Sequence, residues 1–222
     1  MNTLYQKTKY KFKLLFTDPL KLLGILISMA KIAFVTKIDT GPEGARGTTD
    51  AERDLLQRYA KKAKAGIVEI GVLDGKTTKE MAEVACVPIY GIDPIIPDSM
   101  NRRLIGTEEK IVKNLAFYSD FHFFKDFSYN VAKDWHHQFD FIFIDGDHRY
   151  ESVKKDFEDW YLLIDPGGYI SFDDSAKVTS IPSAEFDGWP GCITLVNELK
   201  LDSRLRLIET VDSITVFQKI PV

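Results

Sequence analysis

Cysteine is scarce in this sequence: Cys86 and Cys192 are the only two in 222 residues, beside four histidines. No disulfide framework or cysteine–zinc site can be assembled from so few, and a reducing cytoplasm is the expected compartment. Long apolar runs are also lacking. Between Leu14 and Val35 the longest uncharged piece is Leu22–Ala30, well short of the roughly 20 residues that a membrane span needs. There is no excess of positive charge either; a net charge of −4 gives no support for nucleic-acid binding. Repeats and low-complexity segments are missing. What remains is 45% hydrophobic and 28% charged residues, an ordinary globular mixture with enough length to bury a core.

The charge is unevenly spread. Residues 1–38 carry seven lysines and one acid, Asp18, so they hold +6 and residues 39–222 hold −10. This divides the chain into a basic N-terminal extension, 1–38, and a domain, 39–222. Pro19 suits the first turn of a helix. In the helix that follows, Lys21, Gly24, Ser28 and Lys31 form one narrow polar stripe, and every other face is apolar. Such a helix needs cover from its own domain, from a second copy in a homodimer, or from a peripheral membrane contact with anionic lipid. A cleaved signal peptide fits Asp18 and Pro19 poorly.

The segment 39–48 reads as a glycine-rich linker, and Thr49-x-x-Glu52 as a capping box opening a helix. Apolar runs and helical patterns then alternate. Strands are expected at 67–71, 88–93, 121–125, 139–145 and 169–172. Helices are expected at 78–85, 108–117, 128–135, from about 149 to 164, and at 190–200. The run FDFIFID at 139–145 is the clearest buried strand. Two closing strands, 205–211 and 214–218, meet at a tight Asp212-Ser213 turn and must be antiparallel. The fold class is therefore α/β, a Rossmann-like doubly wound sheet, mostly parallel, ending in an antiparallel hairpin.

The turn after the first strand, VEIGVLDGKTT, opens a helix. Gly71 and Gly75 let a ligand approach the backbone, and the helix start favours an anionic group. A phosphate-binding P-loop is excluded by one missing residue, with Ile70 where its first glycine should stand. The dinucleotide fingerprint fails at Leu73. A purely structural turn is the plain alternative. Asp93 ends the second strand 22 residues after Gly71, where a carboxylate can accept both hydroxyls of a ribose. Asp126, just past the third strand, is placed to meet an adenine edge or to be a surface acid.

Asp145 ends the strand FDFIFID, and Asp173 and Asp174 follow the strand 169–172. If these strands are neighbours, three carboxylates converge, and a hard divalent cation such as Mg²⁺ relieves their repulsion. Asp147 or Asp174 as a helix cap is the competing explanation. His148 stands beside the expected metal and can take a proton from a substrate hydroxyl, or else cap a helix or hold an aspartate.

Over roughly residues 48–219 the chain resembles the class I S-adenosylmethionine-dependent methyltransferases. VEIGVLDGKTT, the acid of YGIDP, FIDGDHRYESV and GGYISFDDS carry the resemblance. It is most similar to the small metal-dependent O-methyltransferases and to the bacterial cephalosporin-hydroxylase-like and sugar or antibiotic methyltransferases. The resemblance implies a seven-stranded sheet. It implies that Glu69, Gly71, Gly75 and Thr77 line the methionine half of the cofactor and that Asp93 holds the ribose. It also implies that Asp145, Asp173 and Asp174 bind the cation. The chain departs from the catechol-type enzymes, which carry lysine in place of His148 and asparagine in place of Asp174.

The expected function is methyl transfer from S-adenosyl-L-methionine to a hydroxyl of a sugar or small natural product. His148 and Asp145 are the catalytic candidates, and the segment 175–191, with Phe186 and Trp189, is the expected acceptor-side lid. The alternative is a non-catalytic or differently acting module of the same fold, held at a membrane or in a complex by its N-terminal segment.

Overall fold

The computed structural model describes residues 47–97, 105–181 and 186–221. The N-terminal extension and most of the expected linker lie outside these residues, as does the middle of the expected lid. No helix among the described residues is long and apolar enough to cross a membrane.

The first helix, α1 (Asp50–Lys62), starts as the sequence indicates. Thr49 accepts from the Glu52 amide, and the Glu52 carboxylate accepts from the Thr49 amide. Seven strands follow: β1 (Ile67–Ile70), β2 (Ile89–Ile92), β3 (Phe121–Phe124), β4 (Phe141–Ile144), β5 (Tyr169–Phe172), β6 (Leu205–Val211) and β7 (Ile214–Lys219). They form one sheet in the order β3-β2-β1-β4-β5-β7-β6. The first five are parallel, whereas β7 lies antiparallel between β5 and β6. The order reverses between β1 and β4, so the loops leaving these two strands part to opposite sides and open a crevice at their carboxyl ends.

Strands β1, β2 and β4 are buried throughout, as expected for parallel strands covered on both faces. One face packs Ile67, Phe141 and Phe143 against Leu55, Leu56 and Tyr59 of α1, Met81 of α2 (Lys76–Ala82) and Ile111 of α3 (Glu108–Leu115). The other packs Val68, Ile142 and Ile144 against Phe157 and Trp160 of α5 (Tyr150–Tyr161) and Leu195 of α6 (Pro190–Leu199). The expected helix at 128–135 is a single turn, α4 (Ser128–Val131), followed by a 3₁₀ turn at Ala132–Asp134. Burying both faces of the central strands supplies the main stabilising term, because apolar area leaves water on each side of the sheet there, whereas the edge strands β3 and β6 stay partly exposed.

Candidate functional site

The loop from β1 to α2 is shaped by three left-handed residues, Gly71 (φ 89°), Leu73 (φ 51°) and Gly75 (φ 73°). A methyl group on Gly71 would lie 1.9 Å from the Asp145 carbonyl oxygen. Gly71 is thus required by the chain's own backbone at the end of β4, whether or not a ligand also approaches it. Gly75 caps α2 with no side-chain hydrogen bond and packs toward Ile111. Thr77 stands half-buried in the first turn of α2, with Thr78 buried beside it.

Glu69 is fully buried on β1, and neither of its oxygens completes a hydrogen bond. Burial pushes its carboxyl up to about 8, and Asp93 adds to the rise. The Thr78 hydroxyl opposes the shift, yet it also lacks a completed hydrogen bond. An unpaired carboxylate in this position is costly for the protein alone and suits a cationic ligand group.

Asp93 organises the same loop. Its Oδ2 accepts from the Val72 amide at 3.0 Å and the Leu73 amide at 2.8 Å, and its Oδ1 accepts from Ile95 at 2.6 Å. A carboxylate has about four acceptor positions, so these bonds still leave room for a ribose hydroxyl. Asp126 is exposed past β3. Its Oδ1 accepts from the Phe127 amide and the Asn130 side chain, which hold its carboxyl below the usual range.

Across the crevice, single ligand atoms of Asp145, His148 and Asp174 all lie within 4.8 Å of one another. His148 Nε2 is 3.0 Å from Asp174 Oδ2 and 3.9 Å from Asp145 Oδ1. The imidazole stacks on Trp189 with centroids 5.5 Å apart. The aspartates do not all converge. Asp173 turns away from the cluster and accepts from Ser213 Oγ at 2.8 Å. Burial, with Asp174 and Glu52 nearby, raises its carboxyl. His148 stands where the sequence reading puts Asp173. Asp174 gets there by taking a left-handed backbone, φ 53°. Asp147 does not cap α5, whose N-cap is Arg149 with no side-chain bond, but it braces the turn before it by accepting from the Arg149 amide and from Ser152 Oγ.

Sequence reasoning missed one group of residues. Glu52 Oε1 accepts from the Ser213 amide at 2.9 Å and lies 2.7 Å from the Ser213 hydroxyl, whose one proton it shares with Asp173. The capping box of α1 is thereby joined to the hairpin turn and, through Ser213, to Asp173. The capping pattern identified Glu52 for a local role, and no local signal reports its second partner.

Residues 68–175 match the family model described as a methyltransferase domain. An uncharacterized protein, R132, of Acanthamoeba polyphaga mimivirus is 33% identical over 117 residues, covering 48% of this chain. The chain spans about half the length of that relative, 50%. Among solved structures, the O-methyltransferase TomG of Streptomyces achromogenes, in complex with S-adenosylmethionine, is similar at 18% identity and a TM-score of 0.57. The match covers 86% of this chain and 88% of that one. The Podospora anserina methyltransferase PaMTH1, bound to S-adenosylhomocysteine, is similar at 18% identity and a TM-score of 0.58, covering 84% and 85%. These two share the fold. The family match, to a methyltransferase domain, falls on the segment that forms β1 to β5.

Proposed function

We propose that this protein transfers a methyl group to a hydroxyl oxygen of a sugar or small natural product, with a divalent cation held by Asp145, His148 and Asp174. The observation that carries this reading is the convergence of those three ligand atoms within 4.8 Å, beside the loop that Gly71 locks against Asp145.

S-adenosylmethionine, when bound, supplies an activated sulfonium methyl, so the protein's task is chiefly alignment. Glu69 is suited to the cofactor's ammonium group and Thr77 to its neighbouring carboxylate. Asp93 has room to accept from a ribose hydroxyl, and Asp126 Oδ2 can meet the adenine amino group. The donor set of two carboxylates and an imidazole fits a divalent cation, which supplies Lewis acidity toward a hydroxyl. An imidazole ligand favours Mn²⁺ and later metals over Mg²⁺. Trp189 holds the His148 ring in plane beside the two carboxylates and shields one of its faces from water.

A second reading has its own support in the 3.0 Å contact between His148 and Asp174. In that arrangement Asp174 orients His148 as a general base, without a cation.

Calorimetry on chelator-treated protein separates the two. Mn²⁺ should bind at one site, and Asp145→Ala and His148→Ala should each abolish that binding while S-adenosylhomocysteine still binds. Full turnover in chelator with no cation uptake would leave the His148–Asp174 pair as the working reading. Failure of S-adenosylhomocysteine to bind under any condition would sink methyl transfer altogether.

A further inference from the structure

Two described stretches, 174–181 and 186–189, meet beside the cation cluster. Two backbone bonds draw these arms together: Trp189 N donates to Asp174 O at 2.8 Å, and Val178 N donates to Phe186 O at 3.1 Å. Phe186 then meets Trp189 edge to face, with centroids 6.3 Å apart, and Trp189 stacks on His148. The two stretches thus form an aromatic wall along the cluster.

One carboxylate fastens that wall. Asp212, in the β6–β7 turn, is 5% exposed and left-handed, φ 49°. Its Oδ1 accepts from Thr179 N at 2.8 Å, Thr179 Oγ1 at 3.1 Å and Ser180 N at 2.8 Å. Its Oδ2 accepts from Thr49 Oγ1 at 2.8 Å and from Ser180 Oγ. Burial alone would raise this carboxyl, but the bonds from Ser180, Thr179 and Thr49 outweigh burial and hold it well below the usual carboxylate range. Five donors on one carboxylate, from α1's cap on one side and the loop on the other, exceed what a two-residue turn needs.

We infer that Asp212 is a positioning residue: by clamping Thr179 and Ser180 it fixes the outgoing arm, whose Val178 amide and Asp174 carbonyl bond the returning arm that carries Phe186 and Trp189, and so sets the acceptor wall of the site. This rests on the reading above that the acceptor meets the protein at Asp145, His148 and Asp174. Asp212 touches neither cofactor nor acceptor in this scheme; it acts through the loop.

Two measurements on the full chain test the clamp without an identified acceptor. Trypsin cleavage after the exposed Lys177 reports release of the arm. Acrylamide quenching reports Trp189, because Trp135 and Trp160 are buried. Asp212→Asn should speed cleavage about tenfold, the effect of losing one charge-assisted hydrogen bond, and should increase quenching. S-adenosylhomocysteine affinity should stay within about twofold, the change left when nothing touching the ligand is altered. Ser180→Ala, a milder change that keeps the turn intact, should move both readouts the same way. Ser180→Thr should restore them, and Thr49→Val, which removes one donor on the opposite side of the carboxylate, should move them less than Asp212→Asn does. Unchanged cleavage and quenching in both Asp212→Asn and Ser180→Ala would overturn the inference. So would a Thr49→Val effect equal to that of Asp212→Asn, which would point to general loosening. Absence of S-adenosylhomocysteine binding in the unaltered protein would remove the methyl-transfer reading while the clamp stood or fell on the other two readouts.

Discussion

Replacing Glu69 with glutamine should make the protein more stable and its cofactor site worse. In the folded chain this carboxyl is pushed up to about 8 from an ordinary 4.5, because burial penalises the charged form. Between those values the folded state binds more protons than the unfolded one, so stability falls as pH rises through that window. Below pH 4.5 the group costs nothing, being neutral in both states. At pH 7 the cost is about 3 kcal/mol, from 1.36 kcal/mol for each of about 2.5 pH steps, and above pH 8 it levels off near 5 kcal/mol. Glutamine matches the protonated acid in shape and cannot ionise. Glu69→Gln should therefore leave the Tm unchanged at pH 4. It should raise the Tm at pH 7 by up to about 9 °C, at about 3 °C per kcal/mol for a domain of this size, and further at pH 9. The same substitution should weaken S-adenosylhomocysteine binding at least tenfold, the usual scale for a lost charge-assisted hydrogen bond. In the unaltered protein, binding at pH 7 should release close to one proton as Glu69 ionises against the ligand's ammonium. Thermal scans at the three pH values, and calorimetry in buffers of different ionisation enthalpy, measure both effects. A Tm difference that is the same at pH 4 and pH 9 would refute the reasoning, as would proton release that survives in the glutamine variant.

Gly71→Ala should be far more damaging than its size suggests. The new methyl meets the Asp145 carbonyl at 1.9 Å in a backbone with φ 89°, so a loss of about 3 kcal/mol or more is expected in chemical denaturation. A denaturation midpoint within error of the original would show that the two loops are less tightly abutted than described. Asp156, buried on α5 and bonded by Ser128 Oγ, has its carboxyl pushed up to about 6, chiefly by burial. By the same sign argument it destabilises the fold increasingly as pH rises from about 4 to 6, and the cost then levels off. Asp156→Asn should raise the Tm at pH 7 and have little effect at pH 4, and the reverse order would count against that account.

The sheet could be read from the chain because its signals are local. FDFIFID is apolar on both faces, which a parallel central strand requires, and Asp212-Ser213 leaves no room for anything but a hairpin turn. The cation cluster was legible only in part. Asp173 and Asp174 are adjacent and look equivalent in sequence, but successive residues at a strand end point to opposite sides. One therefore meets Ser213, and the left-handed turn at the other brings it to His148. The role of Asp212 could not be read at all, since its partner Thr49 is 163 residues away. A turn aspartate offers no local pattern that names its partner. Gly71 stood out in the sequence, but its close contact with the Asp145 carbonyl could not be read there, because a missing side chain does not say what fills the space.

The antiparallel setting of β7 has a practical consequence. Because β7 begins at the Asp212-Ser213 turn, on the same edge as the carboxyl ends of the parallel strands, it must finish on the opposite edge. There the Lys219 amide donates to Gly168 at the start of β5, and Pro221 lies against Gly167. Any fusion partner, affinity tag or surface tether joined after residue 221 would therefore start a full strand's length from the crevice between β1 and β4.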